Sequence, residues 1–191
     1  MNGIECCDAY RVNEIFYSLQ GEGFYTGTAA VFLRFSGCNR RCSFCDTDHS
    51  ESHEMSLADI IQSVTSYPAR HIVVTGGEPS LQLDDKLVDA LHAAGFYIQV
   101  ETNGSLPLPE DVDWVTCSPK TPPLDIERID ELKLVLDGDI DPDAVADALP
   151  MATHYFLQPC SCLNTGQVVE YILKHPLWRL SLQTHKLIDI R

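Results

Sequence analysis

Short apolar runs alternate with amphipathic stretches along most of this chain. Residues 29–35 (AAVFLRF), 71–75 (HIVVT), 96–101 (FYIQVE), 114–117 (WVTC), 131–136 (ELKLVL), 155–157 (YFL) and about 178–182 (WRLSL) are too short for helices and rich in branched or aromatic side chains. That pattern predicts buried strands. Helical spacing fills the gaps: Leu57, Ile60, Ile61 and Val64 follow Ser56 as a candidate N-cap, and residues 86–94 carry Leu87, Leu91 and Ala94 on one face and stop at Gly95. Asp141 and Pro142 form a cap and first-turn pair opening a short helix to Leu149, and Val168, Val169, Ile172 and Leu173 mark another that ends near Pro176. Residues 10–27 read as a leading strand and hairpin with glycine-rich turns.

Strands separated by helices imply parallel βαβ units. A closed eight-unit barrel needs about 250 residues, so 191 residues predict an α/β fold in the form of an open, partial TIM-like barrel with about six or seven mostly parallel strands. No internal repeat, linker or low-complexity tract divides the chain, and one domain over residues 1–191 is expected. Polar or glycine-containing segments follow most strands on their C-terminal side: GCNRRCSFCDTD, GGEP, ETNG, SPK, QP and QTHK. In parallel barrels that rim is where active sites are assembled.

Composition narrows the class. A hydrophobic content of 45% and a charged content of 21% are those of a globular protein. The start MNGIECCDAY lacks the basic and apolar regions of a secretory signal, and no apolar stretch approaches the ~18 residues of a membrane span, so a cytoplasmic protein without membrane contact is expected. Eight cysteines then read as reduced thiols and ligands. The formal net charge of −15 argues against nucleic acid as partner, which needs clustered Lys and Arg. A small-molecule substrate is expected, with a local cation if it is anionic. Arg34, at the end of a buried apolar run, is costly unless paired, and from the pattern alone a structural salt bridge and an anionic ligand are equally good answers.

The loop after that run concentrates the chemistry. Cys38, Cys42 and Cys45 are separated by three and then two residues, and three thiolates so spaced can hold one face of a metal centre. A structural zinc wants four ligands, commonly as two pairs; a dithiol redox motif would leave Cys38 idle; an iron–sulfur cubane with one open iron uses all three. The pattern Cys38-x3-Cys42-x-Phe44-Cys45 is the signature of the radical S-adenosylmethionine (SAM) enzymes. The segment Phe16-Tyr17-Ser18-Leu19-Gln20-Gly21-Glu22-Gly23, Arg34, Cys45-Asp46-Thr47, GGEP, ETNG, SPK, the QP turn and QTHK together resemble the 7-carboxy-7-deazaguanine synthase family over nearly the whole chain.

That resemblance implies a radical SAM lyase of queuosine biosynthesis, converting 6-carboxy-5,6,7,8-tetrahydropterin to 7-carboxy-7-deazaguanine with loss of ammonia. It implies a 4Fe-4S cluster on Cys38, Cys42 and Cys45, and SAM at the open iron among Phe44, Asp46, Gly76, Gly77, Glu78, Thr102, Asn103, Gly104, Ser118, Lys120 and Gln158, with Glu78 accepting from the SAM ammonium. It implies pterin contacts from Leu19, Gln20, Gly21, Glu22, Arg34, Thr102 and His185, the last reached from the final strand, and Mg²⁺ on Thr47. Without it, Thr47 and Thr102 are turn or cap residues and His185 an ordinary satisfied histidine. A flavodoxin-like or ferredoxin-like electron donor and a homodimer are implied as well. The implied mechanism is reductive cleavage of SAM to a 5′-deoxyadenosyl radical, hydrogen removal from carbon 6 of the pterin, ring contraction and regeneration of SAM. Rival readings are a glycyl-radical-enzyme activating protein, which leaves the LQGE segment, Arg34 and Thr47 without a role, and a zinc-binding interaction module. Cys6, Cys7, Cys117, Cys160 and Cys162 form no second triplet and read as incidental or packed thiols.

Overall fold

The computed structural model describes residues 9–43, 45, 48, 51–120, 122–138 and 140–191. Its described strands form one sheet in the order β3-β1-β2-β4-β5-β6-β7-β8-β9, where β1 is Ala9–Leu19, β2 Ala29–Phe35, β3 His53–Ser56, β4 His71–Gly76, β5 Tyr97–Thr102, β6 Trp114–Cys117, β7 Glu131–Leu136, β8 His154–Pro159 and β9 Arg179–Leu180. From β2 to β9 every neighbour is parallel, and β1 pairs antiparallel with both β2 and β3. The edge strands β3 and β9 do not meet. The sheet is therefore the open, partial barrel expected, with a hairpin added to one edge.

The connecting helices are α1 (Leu57–Thr65), α2 (Asp85–Ala93), α3 (Pro142–Asp147), α4 (Thr165–Lys174) and α5 (Thr184–Leu187). Local sequence explains their starts. Ser56 accepts from the Asp59 amide while Asp59 reaches back to the Ser56 amide, a complete capping box, and Asp84 and Asp141 cap α2 and α3 with Pro142 at the first turn. Two elements were not expected: β3, a four-residue polar strand with no apolar signature, and α5, where QTHK read as a loop. The final strand is shorter than the run about residues 178–182 suggested, because Ser181 turns inward after pairing its amide with the Leu157 carbonyl.

Strand parity divides the molecule into two faces. Val31, Leu33 and Phe35 of β2, Ile72 and Val74 of β4, Ile98 and Val100 of β5, Leu132 and Leu134 of β7 and Leu157 of β8 pack with Ile60, Val64, Leu87, Leu91 and Val168 of the helices in one core. Each such side chain stabilises the fold by about 1.5–3 kcal/mol when fully buried. The alternate positions point into the barrel. Phe16, Ala30, Phe32 and Val73 form a small second cluster there, and toward β7 the inward positions become polar: Gln99, Thr116, Glu131, Lys133 and Gln158, all buried. At the N-terminal end of the strands, Phe24, Tyr25, His71, Tyr97, Trp114 and His154 stack edge and face into an aromatic floor.

Candidate active site

A cavity of about 750 Å³ opens at the C-terminal end of the strands, within the range of about 300–1,000 Å³ usual for small-molecule sites. Its wall contains Leu19, Gln20, Gly21, Glu22, Arg34, Cys38, Cys42, Cys45, Gly76, Gly77, Thr102, Asn103, Ser118, Lys120, Gln158 and His185. Most of the residues implied by the motifs therefore share one space. Glu78 and Gly104 do not line it, and Phe44, Asp46 and Thr47 lie outside the described residues.

One side of the cavity is the cysteine loop. It is held against the glycine turn after β4 by backbone bonds, the Gly77 amide to the Phe35 carbonyl at 3.1 Å and the Glu78 amide to the Gly37 carbonyl at 3.0 Å. A side chain at Gly77 would place its Cβ 1.9 Å from the Gly37 carbonyl oxygen and 2.9 Å from Cys38 Cβ, so glycine is required for the two loops to touch. Asn39 ties the same loop to the turn after β5: Asn103 Nδ2 donates to Asn39 Oδ1 at 3.0 Å, and Asn39 Nδ2 to Ser105 Oγ at 2.8 Å. Burial pushes the Cys38 thiol up, and the nearby charges of Glu78, Cys42 and Cys45 add to the rise.

These donors fit a polynuclear cluster. Three thiolates on one zinc would stand roughly 3.8 Å apart, the edge of a tetrahedron with 2.3 Å zinc–sulfur bonds. Among the described residues no three Cys, His, Asp or Glu side chains gather so as to hold one ion. A cubane takes each thiolate on a different iron and leaves one iron open, which suits three cysteines of one loop facing a cavity.

Glu78 is engaged by the chain itself. Its carboxylate is fully buried and accepts from Thr102 Oγ1 at 2.6 Å, the Asn103 amide at 2.7 Å, Ser80 Oγ at 2.7 Å and the Ser80 amide at 3.1 Å. Most of its lone pairs are taken by the chain itself. Glu78 braces the turn after β5 against the turn after β4, and leaves Gly76 and Gly77 as the parts of the motif on the wall. Ser118 and Lys120 do face the cavity, joined by a 2.8 Å bond from Lys120 Nζ to Ser118 Oγ, and burial pulls the Lys120 ammonium below the ordinary lysine range.

The opposite side is a polar cage. Lys133 Nζ donates to Glu22 Oε2 at 2.6 Å and lies 3.2 Å from Glu101 Oε2. Gln20 Nε2 donates to Glu101 Oε1 at 2.9 Å, and Gln183 Nε2 to Glu22 Oε1 at 3.0 Å. Burial opposes ionisation of Glu22, but the Lys133 ammonium and its hydrogen bond outweigh it and hold the carboxyl down to about 2. Burial likewise opposes the charge on Lys133, and Glu101, Glu22 and Glu131 overcome it, holding the ammonium well above the ordinary lysine range. His185 lies on α5 rather than on a strand and packs on Gly21, whose missing Cβ would fall 2.2 Å from His185 Nδ1. Arg34 pairs with Glu14, Nε to Oε1 at 2.9 Å, on the cavity wall.

Sequence reasoning missed Glu14, Glu101, Lys133, Gln183 and Arg191, all on this wall. The available signal was in β5 and β7. A strand of a parallel sheet covered on both faces should be apolar throughout, so Gln99 and Glu101, and Glu131 and Lys133, spaced by two within apolar runs, mark an inward polar face. Cys117 is a packed core thiol, pushed up to about 12 by burial; Cys160 reaches the cavity wall.

Comparison with known proteins places this geometry. A model of the radical SAM superfamily matches residues 33–165. The chain is 60% identical to the 7-carboxy-7-deazaguanine synthase of Bacteroides thetaiotaomicron over 95% of this chain and 98% of that protein, and 46% identical to the enzyme of the same name from Bordetella pertussis over 95% and 99%. The crystal structure of QueE from Escherichia coli superposes with a TM-score of 0.80 at 30% identity, covering 93% of this chain and 95% of that one. With its three cysteines and its acid–lysine cage facing one cavity, the chain belongs to the 7-carboxy-7-deazaguanine synthase family of the radical SAM superfamily.

Proposed function

We propose that this chain converts 6-carboxy-5,6,7,8-tetrahydropterin to 7-carboxy-7-deazaguanine with loss of ammonia, as a step of queuosine and 7-deazapurine biosynthesis. The observation that carries the reading is the Gln20–Glu101–Lys133–Glu22 cage facing the same cavity as Cys38, Cys42 and Cys45. Each ionised carboxylate keeps lone pairs beyond those used within the cage. Glu22 and Glu101 can therefore accept the N–H groups along an aminopyrimidinone edge, while the Arg34 guanidinium answers a substrate carboxylate.

Cys38, Cys42 and Cys45 would hold the 4Fe-4S cluster, and Gly76, Gly77, Thr102, Asn103, Ser118, Lys120 and Gln158 the SAM. When bound, these groups supply a 5′-deoxyadenosyl radical. The chain contributes position and charge: the cage orients the pterin ring, Lys133 keeps Glu22 ionised, and the aromatic floor closes the barrel below. Thr47 is the proposed Mg²⁺ ligand; Cys45 and Asp48 on either side of it are on the cavity wall, and a hydroxyl is a suitable hard donor. A flavodoxin-like or ferredoxin-like donor, a homodimer and a cytoplasmic location are proposed on the family resemblance. No helix among the described residues is long and apolar enough to cross a membrane.

The test is anaerobic incubation of the reconstituted protein with SAM, Mg²⁺, reductant and 6-carboxytetrahydropterin, read by mass spectrometry. Deazaguanine acid that disappears in Cys42→Ala supports the reading. 5′-Deoxyadenosine without the deazaguanine would overturn the substrate and retain the radical chemistry, and a protein that takes up no iron would overturn both.

A further inference from the structure

The loop between β1 and β2 carries Gln20 and Glu22 into the cavity, and its backbone is held in an unusual way. It closes on itself through the Gln20 amide to the Thr28 carbonyl at 2.8 Å and the Gly27 amide to the Gln20 carbonyl at 2.7 Å. At its tip, three consecutive amides are taken by side chains. The Glu22 amide donates to Gln20 Oε1 at 3.1 Å, the Gly23 amide to Ser181 Oγ at 3.0 Å and the Phe24 amide to Glu131 Oε2 at 3.1 Å. Gly23 has φ +65°, and a Cβ there would lie 1.8 Å from Glu131 Oε1. The carboxyl of Glu131 is thus pressed directly against the peptide that follows Glu22.

Glu131 and Lys133 are successive inward positions of β7. Lys133 grips the Glu22 side chain and Glu131 grips the backbone just beyond it. Glu131 is buried, and unlike Lys133 it does not line the cavity. Its Oε2 also accepts from Trp114 Nε1 at 3.3 Å, while Oε1 is buried with no hydrogen-bond partner among the described residues. A carboxyl left half satisfied in the interior is costly for folding alone.

We propose that Glu131 is a positioning residue for substrate capture, setting from beneath the height and rotation at which Glu22 meets the pterin ring. The inference rests on the reading of Glu22 as the acceptor for the aminopyrimidinone edge. A clamp of this kind acts on binding more than on the chemical step, because it touches neither the reacting carbon nor the cluster. It also brings a pH dependence. Burial raises the Glu131 carboxyl to about 7, opposed by Lys133 and by the Phe24 and Trp114 bonds and assisted by Glu101. The charged or titratable groups around it are Lys133 on its own strand, Glu101 on β5, Glu22 on the loop and His154, its register partner on β8. As pH rises through 7 Glu131 gains charge, its hold on the Phe24 amide strengthens, and substrate capture improves.

The test compares the unmodified enzyme with Glu131→Gln and Glu131→Ala, measuring KM and kcat for 6-carboxytetrahydropterin from pH 6 to 8, and hydrogen exchange of the peptide spanning residues 20–28 in the protein without substrate. The expected result is a KM increase of roughly tenfold in Glu131→Ala, the loss of one charge-assisted hydrogen bond, with kcat nearly unchanged and faster exchange at Phe24. Glu131→Gln keeps the acceptor and is expected to lose the inflection of kcat/KM near pH 7 with a smaller rise in KM. Should Glu131→Ala fail to fold, Ser181→Ala frees the adjacent Gly23 amide and is expected to raise KM and exchange in the same segment. Unchanged KM and exchange in folded variants, or a fall in kcat at constant KM, overturns the proposal while turnover by the unmodified enzyme keeps the function. Absence of deazaguanine from the unmodified enzyme overturns both.

Discussion

Lys133 shows how one residue can set the charge state of a site. Its ammonium is buried between Glu22 and Glu101, and without it two carboxylates would share a low-dielectric space with no counter-charge. Lys133→Met is therefore expected to lose roughly 3–5 kcal/mol of stability at pH 7, the usual consequence of removing one partner of a buried pair. The pH window follows from Glu22, whose carboxyl falls from an ordinary 4.5 to about 2 on folding. A depressed carboxyl contributes stability above the unfolded value and loses it as pH falls through the folded one. The deficit of Lys133→Met should thus be largest at neutral pH and shrink between pH 4.5 and 2; urea unfolding at several pH values measures it. A deficit independent of pH would mean that packing rather than charge is lost. Lys133 stood in plain view as a break in an apolar run, but its partners are 32 and 111 positions away along the chain, and no local pattern names them.

At the scale of elements, the site depends on how closely loops approach. The turn after β4 lies on the cysteine loop only because position 77 has no side chain. Gly77→Ala should separate the two loops and reduce iron uptake on reconstitution, read from the iron-to-protein ratio and the brown absorption of the cluster. Gly166, in the first turn of α4, meets no atom within 4 Å of an added Cβ. Gly166→Ala should load iron normally and gain about 0.5–1 kcal/mol of stability from the reduced freedom of the unfolded chain. The contrast tests whether the glycine requirement is contact or propensity. Elements with strong internal signals were readable in advance: the capped helices α1, α2 and α3, and the apolar strands β2, β4 and β5. β3 was not, since HEMS has neither alternation nor bulk and becomes a strand only because β1 offers it a free edge. Neither was α5, a single turn tied down where the Thr184 amide meets the Gly21 carbonyl at 2.9 Å.

For the whole molecule, Glu22 and Glu131 tilt the stability curve in opposite directions. The raised carboxyl of Glu131 contributes stability below the ordinary value of 4.5 and loses it as pH rises through about 7. Glu131→Gln cannot ionise, so its stability relative to the unmodified chain should grow between pH 4.5 and 7 and then level off. Denaturant unfolding of the cluster-free protein at pH 5 and pH 8 measures this, and a difference that does not change with pH would show that Glu131 does not titrate in that range. A barrel that accepts such a residue in its interior gives up stability at neutral pH to hold a loop.

What the amino-acid order determined by itself is local. The cysteine spacing, the caps and the period-two apolar runs each act over a few residues, and the parallel open barrel follows because short strands joined by helices have few other ways to bury both faces. What only the tertiary structure decided is the inner face. Gln20, Glu22, Glu101, Lys133, Gln158, Ser181 and Gln183 come from five separate stretches of chain, and strand register brings them together on one side of the sheet. Register is a property of the assembled sheet, set by the packing of the opposite, helix-covered face. The same packing made Glu78 a brace between two turns and gave Glu131, unremarked in its strand, a position under the loop that carries Glu22.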